Sequence, residues 1–373
     1  MLARLRFPVE RSRGRCYPEP EHPYRNAFQR DRDRVIHSRA FRRLEAKTQV
    51  FAPDLSDHFR NRLTHTIEVA QIARTAAAVL GLDESLTEAL ALAHDIGHPP
   101  FAHAGEEELN RQMARFGDSF DHNFHALRIV ERFEQRYPRF PGLNLSFEVR
   151  EGILKHSRDF APGESAAAEP YLPGLRPPLE AQLIDLADEI AYNTADLDDG
   201  LAAGLLEIDD AASAVPQFAR ILEAVETQFP GAAPREQFYE CLRSLVDHLV
   251  SGLLEGTAEA ARQAGAESVD DVRAFPRRLA VFTQEAAATS AALKRFLHAR
   301  VYASPVLNQD RRRSMAGVAD LFEYFVADPE RLPEPYRSQT ASEPPHRVVC
   351  DYIAGMTDGF FRRTYEQTLG GVA

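Results

Sequence analysis

The chain has 373 residues, of which 44% are hydrophobic and 27% are charged. This composition is that of a soluble globular protein with a large core. No apolar stretch approaches the roughly 20 residues needed to cross a bilayer. Asp and Glu number 56 against 44 Lys and Arg, a net charge of −12, which argues against sequence-independent binding of nucleic acid. The three cysteines, Cys16, Cys241 and Cys350, lie far apart, which excludes a disulfide framework and a thiolate zinc site and favours a reducing cytoplasm.

The N-terminal segment is rich in arginine. The first fifteen residues contain five arginines and one acid, Glu10, without the serine-rich pattern of a transit peptide or the apolar run of a secretory signal. We therefore expect residues 1–25 to form a solvated arm. Over residues 30–43 charges of both signs alternate, which is typical of a solvated helix face, although a subunit interface or an allosteric site would use the same residues.

Apolar residues recur with a helical period through most of the remaining chain. The pattern predicts helices over residues 62–80, 83–93, 124–133, 147–155, 179–206, 215–228, 235–264, 272–297 and 348–365. Stretches rich in proline and glycine predict surface loops over 161–178 and 332–345. Because no alternating pattern typical of a strand extends beyond a few residues, the predicted fold class is all-α.

Histidines are concentrated in one part of the chain. Six of the 13 fall between positions 65 and 125. They are His65, His94, His98, His103, His122 and His125. Any one of them alone is explained by a helix cap or a core hydrogen bond. A His-Asp pair at the end of an apolar helix, followed at once by Gly-His-Pro-Pro, is costly unless the polar groups have partners. A divalent metal with nitrogen and oxygen ligands satisfies several of them together.

Further ligands are expected from other helices. His65 and Asp188 lie in otherwise apolar helical segments, where a polar side chain needs a partner. Asp188, Tyr192 and Asp196 follow an i, i+4, i+8 spacing, so one helix face presents two carboxylates and a phenol. Asp198 and Asp199 lack this spacing and are expected only to end the helix.

The order of His65, His94-Asp95 and Asp188 resembles the H…HD…D pattern of the HD-domain metal-dependent phosphohydrolases. More narrowly, the chain resembles the bacterial deoxyguanosine triphosphate triphosphohydrolase-like proteins, over nearly its whole length. Residues 30–44, 47–51, 62–66, 94–106, 185–199 and 351–358 carry this resemblance. It implies a helical HD-domain core with the metal site over residues 26–200. It also implies additional C-terminal helices over 201–373 that contribute to the substrate site and to oligomer contacts.

The resemblance further implies a reaction in which a deoxynucleoside triphosphate, either dGTP or several, and water yield a deoxynucleoside and intact triphosphate. The implied ligands of the divalent metal, which would be Mn, Mg, Fe, Co or Ni, are His65, His94, Asp95 and Asp188. The implied catalytic residues are His122, His98 and Asp121. The implied substrate-binding residues are Gln49, Arg62, His103, Tyr192 and Asp196.

Within that substrate set, Gln49 matches the position that reads the sugar 3′-hydroxyl and Tyr192 the position beneath the deoxyribose. The segment 120–128 departs from the family pattern at Asp121 and His125. A homo-oligomer, and an allosteric nucleotide as a further partner, are also expected from the resemblance. Two alternatives stay open: another HD phosphohydrolase acting on nucleoside monophosphates or cyclic nucleotides, and a nucleotide-sensing regulator without turnover. The chain has no GxxxxGK[ST] and no GxG, which excludes P-loop and Rossmann nucleotide binding.

Overall fold

A computed structural model describes residues 1–51 and 58–370 of the chain. This part contains seventeen α-helices and no β-strand, which confirms the all-α class. The first eight are α1 (Ala27–Ile36), α2 (Arg39–Arg43), α3 (Arg62–Leu80), α4 (Glu84–Ala93), α5 (Ala102–Ala114), α6 (His122–Arg128), α7 (Phe147–Leu154) and α8 (Leu179–Ala202). The others are α9 (Ile208–Ala214), α10 (Pro216–Gln228), α11 (Pro234–Gln263), α12 (Val269–Ala274), α13 (Gln284–Leu297), α14 (Pro305–Ala327), α15 (Tyr336–Gln339), α16 (Pro345–Ala354) and α17 (Asp358–Thr368). Among the described residues, no helix has the length and apolarity that a membrane span requires.

The main core is built around α3, which packs against α4 and α8. Its start is fixed by Asn61, whose side chain accepts the Thr64 N–H while the Thr64 hydroxyl reaches back to the Asn61 backbone, a reciprocal cap. Its end is Gly81, at φ 82, a left-handed conformation that glycine adopts without a Cβ penalty. The helix buries small side chains such as Ala73 and Ala77, so its neighbours can approach closely.

A second core is formed by α5 and the C-terminal helices. There α5 and α16 pack against α14, and the buried side chains include Leu109, Met113, Val318, Phe322 and Val349. The helix α5 therefore belongs to the second core. This arrangement fixes the N-terminus of α5, which faces the cavity described below.

The prediction that the N-terminal segment is solvated is wrong for its first residues. Leu2, Leu5 and Phe7 alternate with the arginines and are at most 5% exposed. The Phe7 N–H donates to the buried Glu180 carboxylate at 2.9 Å. Because apolar residues alternate with the arginines, the segment packs on the core while its arginines remain at the surface.

The solvated interpretation of residues 30–43 is wrong for two of them. Asp31 and Arg34 in α1 are buried. Arg34 donates to the backbone carbonyls of Leu143 and Asn144 at 2.8 and 3.0 Å. These two side chains therefore fasten α1 to the core, whereas residues such as Arg32 take part in the surface ion pairs that the pattern predicts.

Most predicted helices are found close to their predicted ends, but two predicted helices are each divided. The helix predicted over 272–297 stops at Ala274 and a second helix begins at Gln284. One reason is that Pro276 cannot continue a helix. In addition, the N–H groups of Leu279 and Ala280, between the two helices, donate to the Gln182 side chain. The helix predicted over 348–365 breaks at 355–357 and restarts as α17. The pattern also does not predict α5 and α14.

Candidate active site

Helices α3, α5, α6 and α8 surround a cavity of about 490 Å³, which lies within the usual range for small-molecule sites. The π-helical turn His298–Tyr302 and the first turns of α14 form its far side. Most of the predicted site residues line this cavity. They are Gln49, Arg62, His65, Asp95, His98, His103, His122, Asp188, Tyr192 and Asp196.

The four predicted metal ligands meet at one end of the cavity. The His65 Nε2 lies 2.8 Å from Asp188 Oδ1 and 4.0 Å from Asp95 Oδ2. The His94 Nε2 lies 3.5 Å from Asp95 Oδ1 and 3.9 Å from Asp188 Oδ1. The two imidazoles and two carboxylates therefore present nitrogen and oxygen atoms to one common point.

The tautomer of His94 suits a metal ligand. Its Nδ1 lies 2.6 Å from the Ala91 carbonyl oxygen, and because a carbonyl only accepts, Nδ1 carries the proton. The buried Nε2 then has a free lone pair, and it has no hydrogen-bond partner among the described residues. Burial lowers the pKa of His94, which favours the neutral, metal-binding form. These residues fit a divalent cation.

The carboxylates of this group are ionised. Burial opposes the charge on Asp95, but Arg62, whose Nη1 lies 2.7 Å from Asp95 Oδ2, and the neighbouring His94 and His98 outweigh it and hold the Asp95 pKa well below its usual range. Burial also opposes the charge on Asp188, yet the hydrogen bond from His65 lowers its pKa to about 2. Both side chains are thus ready to bind a cation.

A further histidine, which sequence analysis does not identify, belongs to the same group. His156 follows α7, and its Nε2 lies 3.8 Å from Asp188 Oδ2 while its Nδ1 lies 2.8 Å from Asp185 Oδ1. His94, His156 and Asp188 place ligand atoms within 4.8 Å of one another. The sequence carries one indication that His156 belongs to the site: it follows a buried helix, just as His94 follows α4.

A second group of histidines lies on the wall formed by α5 and α6. Glu106 is central to it: its Oε1 accepts from His122 Nδ1 at 2.7 Å and from the His122 backbone N–H at 3.0 Å, and its Oε2 lies 3.5 Å from His103 Nδ1. The His98 ring stacks on the His122 ring with centroids 3.9 Å apart. Glu106 was not among the predicted site residues, although its spacing of i, i+3 from His103 is a helical one.

Charges differ within this wall. Burial opposes the charge on Glu106, but its contacts with His103 and His122 lower its pKa. Burial, with the neighbouring Arg62 and His122, lowers the pKa of His98 well below its usual value. At neutral pH the wall therefore combines a neutral imidazole at His98 with an ionised carboxylate at Glu106.

The start of α5 has an unusual backbone. Phe101 and Ala102 both have positive φ, at 63 and 53 degrees, a conformation that costs free energy for residues other than glycine. This bend places His103 and the N-terminus of α5 at the cavity. The N–H groups at a helix N-terminus, together with the helix dipole, favour an anion there.

The part of the cavity that continues along α8 beyond Asp188 is aromatic. Tyr192 and Asp196, one turn apart on α8, line it together with Tyr302, which sequence analysis does not identify. The Tyr302 hydroxyl donates to the Asp196 carboxylate. Burial raises the Asp196 pKa to about 7. The buried Gln49 Oε1 faces no hydrogen-bonding group within the described part of the chain, so it is free to accept from a ligand.

Asp121 does not lie in this cavity. Its carboxylate accepts the N–H groups of Asn123 and Phe124 and so caps α6, and the residue lines a separate cavity on the other side of that helix. Asp121 is therefore not among the residues that line the cavity with His98 and His122, and its role in catalysis stays a prediction. The carboxylate beside His122 is that of Glu106.

Comparison with known proteins identifies the family of this chain. Residues 62–193 match the HD domain, and residues 280–367 match the phosphohydrolase-associated domain. A deoxyguanosinetriphosphate triphosphohydrolase-like protein of Geobacter sulfurreducens is 45% identical over 95% of this chain and 93% of its own length. Proteins of the same name from Azoarcus sp. and Ralstonia nicotianae are each 46% identical, over 95% and 94% of this chain and 93% and 89% of their own lengths. The chain therefore belongs to the deoxyguanosinetriphosphate triphosphohydrolase-like family of HD-domain phosphohydrolases.

Proposed function

We propose that the protein is a metal-dependent hydrolase that converts dGTP, or several deoxynucleoside triphosphates, into deoxynucleoside and inorganic triphosphate. The observation that carries the proposal is a single cavity joining three parts. The metal-ligand group forms one part, His98, His103 and His122 form one wall, and Gln49 and Tyr192 line a third part, the sugar end. The names of the relatives support the same substrate class.

The middle of the cavity suits a polyphosphate. Arg62 lines it while its Nη1 contacts Asp95, which leaves other guanidinium N–H groups to donate to phosphate oxygens. The N-terminus of α5 and the side chain of His103 lie on the facing wall. Within a chain of net charge −12, this local collection of donors is what would hold an anionic substrate.

We propose that His65, His94, Asp95 and Asp188 hold the divalent cation, which would be Mn, Mg, Fe, Co or Ni. When bound beside the α-phosphate, such a cation supplies Lewis-acid stabilisation and lowers the pKa of a coordinated water. The chain's own residues contribute the geometry, because the Nδ1 hydrogen bond of His94 fixes which nitrogen faces the cation.

His122 is the proposed acid–base residue. Because Glu106 accepts the Nδ1 proton of His122, the ring orientation is fixed and the Nε2 faces away from Glu106. In the reaction a water oxygen bonds to the α-phosphorus and releases one proton to solvent, the bond from that phosphorus to the 5′-oxygen breaks, and the 5′-oxygen receives a proton. The protonated Nε2 of His122 would deliver that proton, and His98, stacked on the same ring, would assist by holding that ring in place.

The sugar end supports a preference for deoxyribose. Tyr192 lies one helical turn from Asp188 and from Asp196, so its ring is held beside the metal end of the cavity. A ring beneath the sugar excludes a ribose 2′-hydroxyl by its bulk, and the excluded hydroxyl is also left without a partner. The Gln49 oxygen, which makes no hydrogen bond among the described residues, would accept from the 3′-hydroxyl.

Product analysis tests the proposal. The metal-loaded protein is incubated with each deoxynucleoside triphosphate singly and in pairs, with Asp188→Ala as the matched control. Deoxynucleoside plus intact triphosphate is the expected result. Release of phosphate from monophosphates or cyclic nucleotides instead would favour another HD phosphohydrolase. Binding without metal-dependent product would favour a nucleotide-sensing regulator.

The same incubations address the remaining partners. Activity that appears only with a second nucleotide would support an allosteric nucleotide, which the family resemblance allows. We also propose a homo-oligomer larger than a dimer. Light scattering at micromolar protein tests this, and a fully active monomer would contradict it.

A further inference from the structure

One carboxylate from the C-terminal part of the chain contacts two walls of the cavity. Asp358, the first residue of α17, is only 6% exposed. Its Oδ2 accepts from the Thr48 backbone N–H at 2.9 Å and from the Thr48 hydroxyl at 2.6 Å. Its Oδ1 accepts from the Phe101 backbone N–H at 3.1 Å. The side chain thus uses both oxygens on segments that are distant from it in sequence.

Each of these segments presents a cavity residue immediately beyond the bond. Thr48 precedes Gln49, the proposed reader of the 3′-hydroxyl. Phe101 begins the positive-φ bend that places His103 at the phosphate wall. Such a bend persists only where surrounding contacts hold it, and the bond from Phe101 to Asp358 is one of those contacts. The position of both walls therefore depends on one side chain.

A buried lysine makes a parallel connection. The Lys47 Nζ donates to the His98 carbonyl and, at 3.3 Å, to the Ala354 carbonyl. Residues 47 and 48 are in this way connected to the His98–Phe101 loop and to residues 354–358 by two buried side chains, Lys47 and Asp358. The cavity walls and the C-terminal helices are consequently parts of one hydrogen-bonded unit.

We propose that Asp358 is a positioning residue for substrate recognition, which sets the sugar wall at Gln49 and the phosphate wall at His103 relative to each other. This inference rests on the proposed function. Replacing Asp358 by Asn keeps the volume but turns an amide NH₂ toward either Thr48 or Phe101, so that a donor meets a donor. One of the two walls then loses its connection.

The test compares Asp358→Asn with Asp351→Asn. Asp351 is a suitable control because it lies in the same C-terminal part, is also buried, and bonds Arg128 rather than a cavity segment. The readout is the ratio of kcat/KM for a deoxynucleoside triphosphate to that for its 2′,3′-dideoxy analogue. We expect Asp358→Asn to reduce this ratio by roughly 10-fold, the scale of one hydrogen bond, and Asp351→Asn to leave it unchanged.

A double-mutant cycle separates positioning from general damage. Gln49→Ala should reduce the same ratio, and adding it to Asp358→Asn should produce little further loss, because both changes remove one interaction. Fully multiplicative losses would overturn the inference. If Asp358→Asn does not fold, Thr48→Val tests the inference instead. This variant keeps the bond from the Thr48 backbone N–H to Asp358 and loses the bond from the Thr48 hydroxyl. The ratio of the two kcat/KM values should then fall by a smaller factor. An unchanged ratio would overturn the inference.

Amide exchange gives a readout that needs no turnover. Peptides covering Thr48 and Phe101 should exchange faster in Asp358→Asn than in the wild type, and not in Asp351→Asn. Unchanged protection of both peptides in folded Asp358→Asn protein would overturn the inference. A wild type that releases no triphosphate would overturn the proposed function instead, and exchange would still show whether Asp358 holds the two segments.

Discussion

A buried carboxylate outside the cavity makes the stability of the protein depend on pH. Glu180, at the start of α8, is fully buried. Its Oε1 accepts the N–H groups of Phe7 and Asp83 at 2.9 and 3.1 Å. Burial raises the pKa of Glu180 from 4.5 to about 7, although these two N–H groups act in the opposite direction. The folded protein therefore favours the protonated form of this buried side chain.

The sign of the effect follows from proton linkage. Between pH 4.5 and 7 the folded protein keeps a proton on Glu180 that the unfolded chain has released, so the free energy of unfolding falls as pH rises and becomes constant above that range. At about 1.4 kcal/mol per pH unit, the ionised side chain costs the folded state about 3 kcal/mol above pH 7. Glu180→Gln is neutral and keeps an oxygen for both N–H groups. It should be more stable than the wild type by about 3 kcal/mol at pH 8, and by less than about 1 kcal/mol at pH 5.

Urea unfolding of both proteins at pH 5 and pH 8 measures this difference, and comparing the variant with the wild type at each pH cancels every other titrating group. Glu10→Gln, in the same segment but exposed, is the control and should change the free energy of unfolding little at either pH. An equal difference between Glu180→Gln and the wild type at pH 5 and pH 8 would refute the reasoning. The N-terminal connection would then not depend on the Glu180 proton.

Three further predictions concern the cavity. Asp188→Ala should lose both bound metal and turnover, and elemental analysis that finds stoichiometric metal in the folded variant would remove Asp188 from the ligand set. His122→Ala should keep its metal and lower kcat by roughly 10²- to 10⁴-fold. Glu106→Gln should lower kcat by a smaller factor, because glutamine keeps the shape of the side chain but not its charge. Near wild-type turnover of His122→Ala would mean that another group delivers the proton to the 5′-oxygen. Tyr192→Ala should narrow the difference between dGTP and GTP hydrolysis, and a wild type that hydrolyses the two equally would contradict the proposed sugar site.

The features predicted well from the sequence are those fixed by local periodicity. The ends of α3 follow from Asn61 and Gly81, both of which act within one turn of the helix. Tyr192 and Asp196 line the cavity together because they are four residues apart on one helix, a spacing that survives any arrangement of neighbouring helices. The His94-Asp95 pair is similar, since its position at the end of an apolar helix already indicated that both groups need partners.

The features missed depend on packing between distant segments. His156 reaches Asp188 only because α7 and α8 are brought together, and Tyr302 reaches Asp196 across 106 residues of sequence. Asp121 shows the converse: it adjoins His122 in sequence, but its carboxylate caps α6 and the residue does not line the cavity. Glu106, sixteen residues from His122, is the carboxylate in contact. Proximity along the chain was thus a poor guide to partners.

The cavity draws its parts unequally from the two matched regions. The four proposed metal ligands, with Arg62 and the histidine wall, all come from the HD-domain region, residues 62–193. Tyr302 and Asp358 come from the phosphohydrolase-associated region, residues 280–367. Tyr302 lines the sugar end, and Asp358 holds the segments at Thr48 and Phe101. Changes in the second region are therefore expected to alter which substrate fits while the metal-binding groups stay in place, because its hydrogen bonds, within the described part of the chain, reach the walls of the cavity and not the proposed ligands.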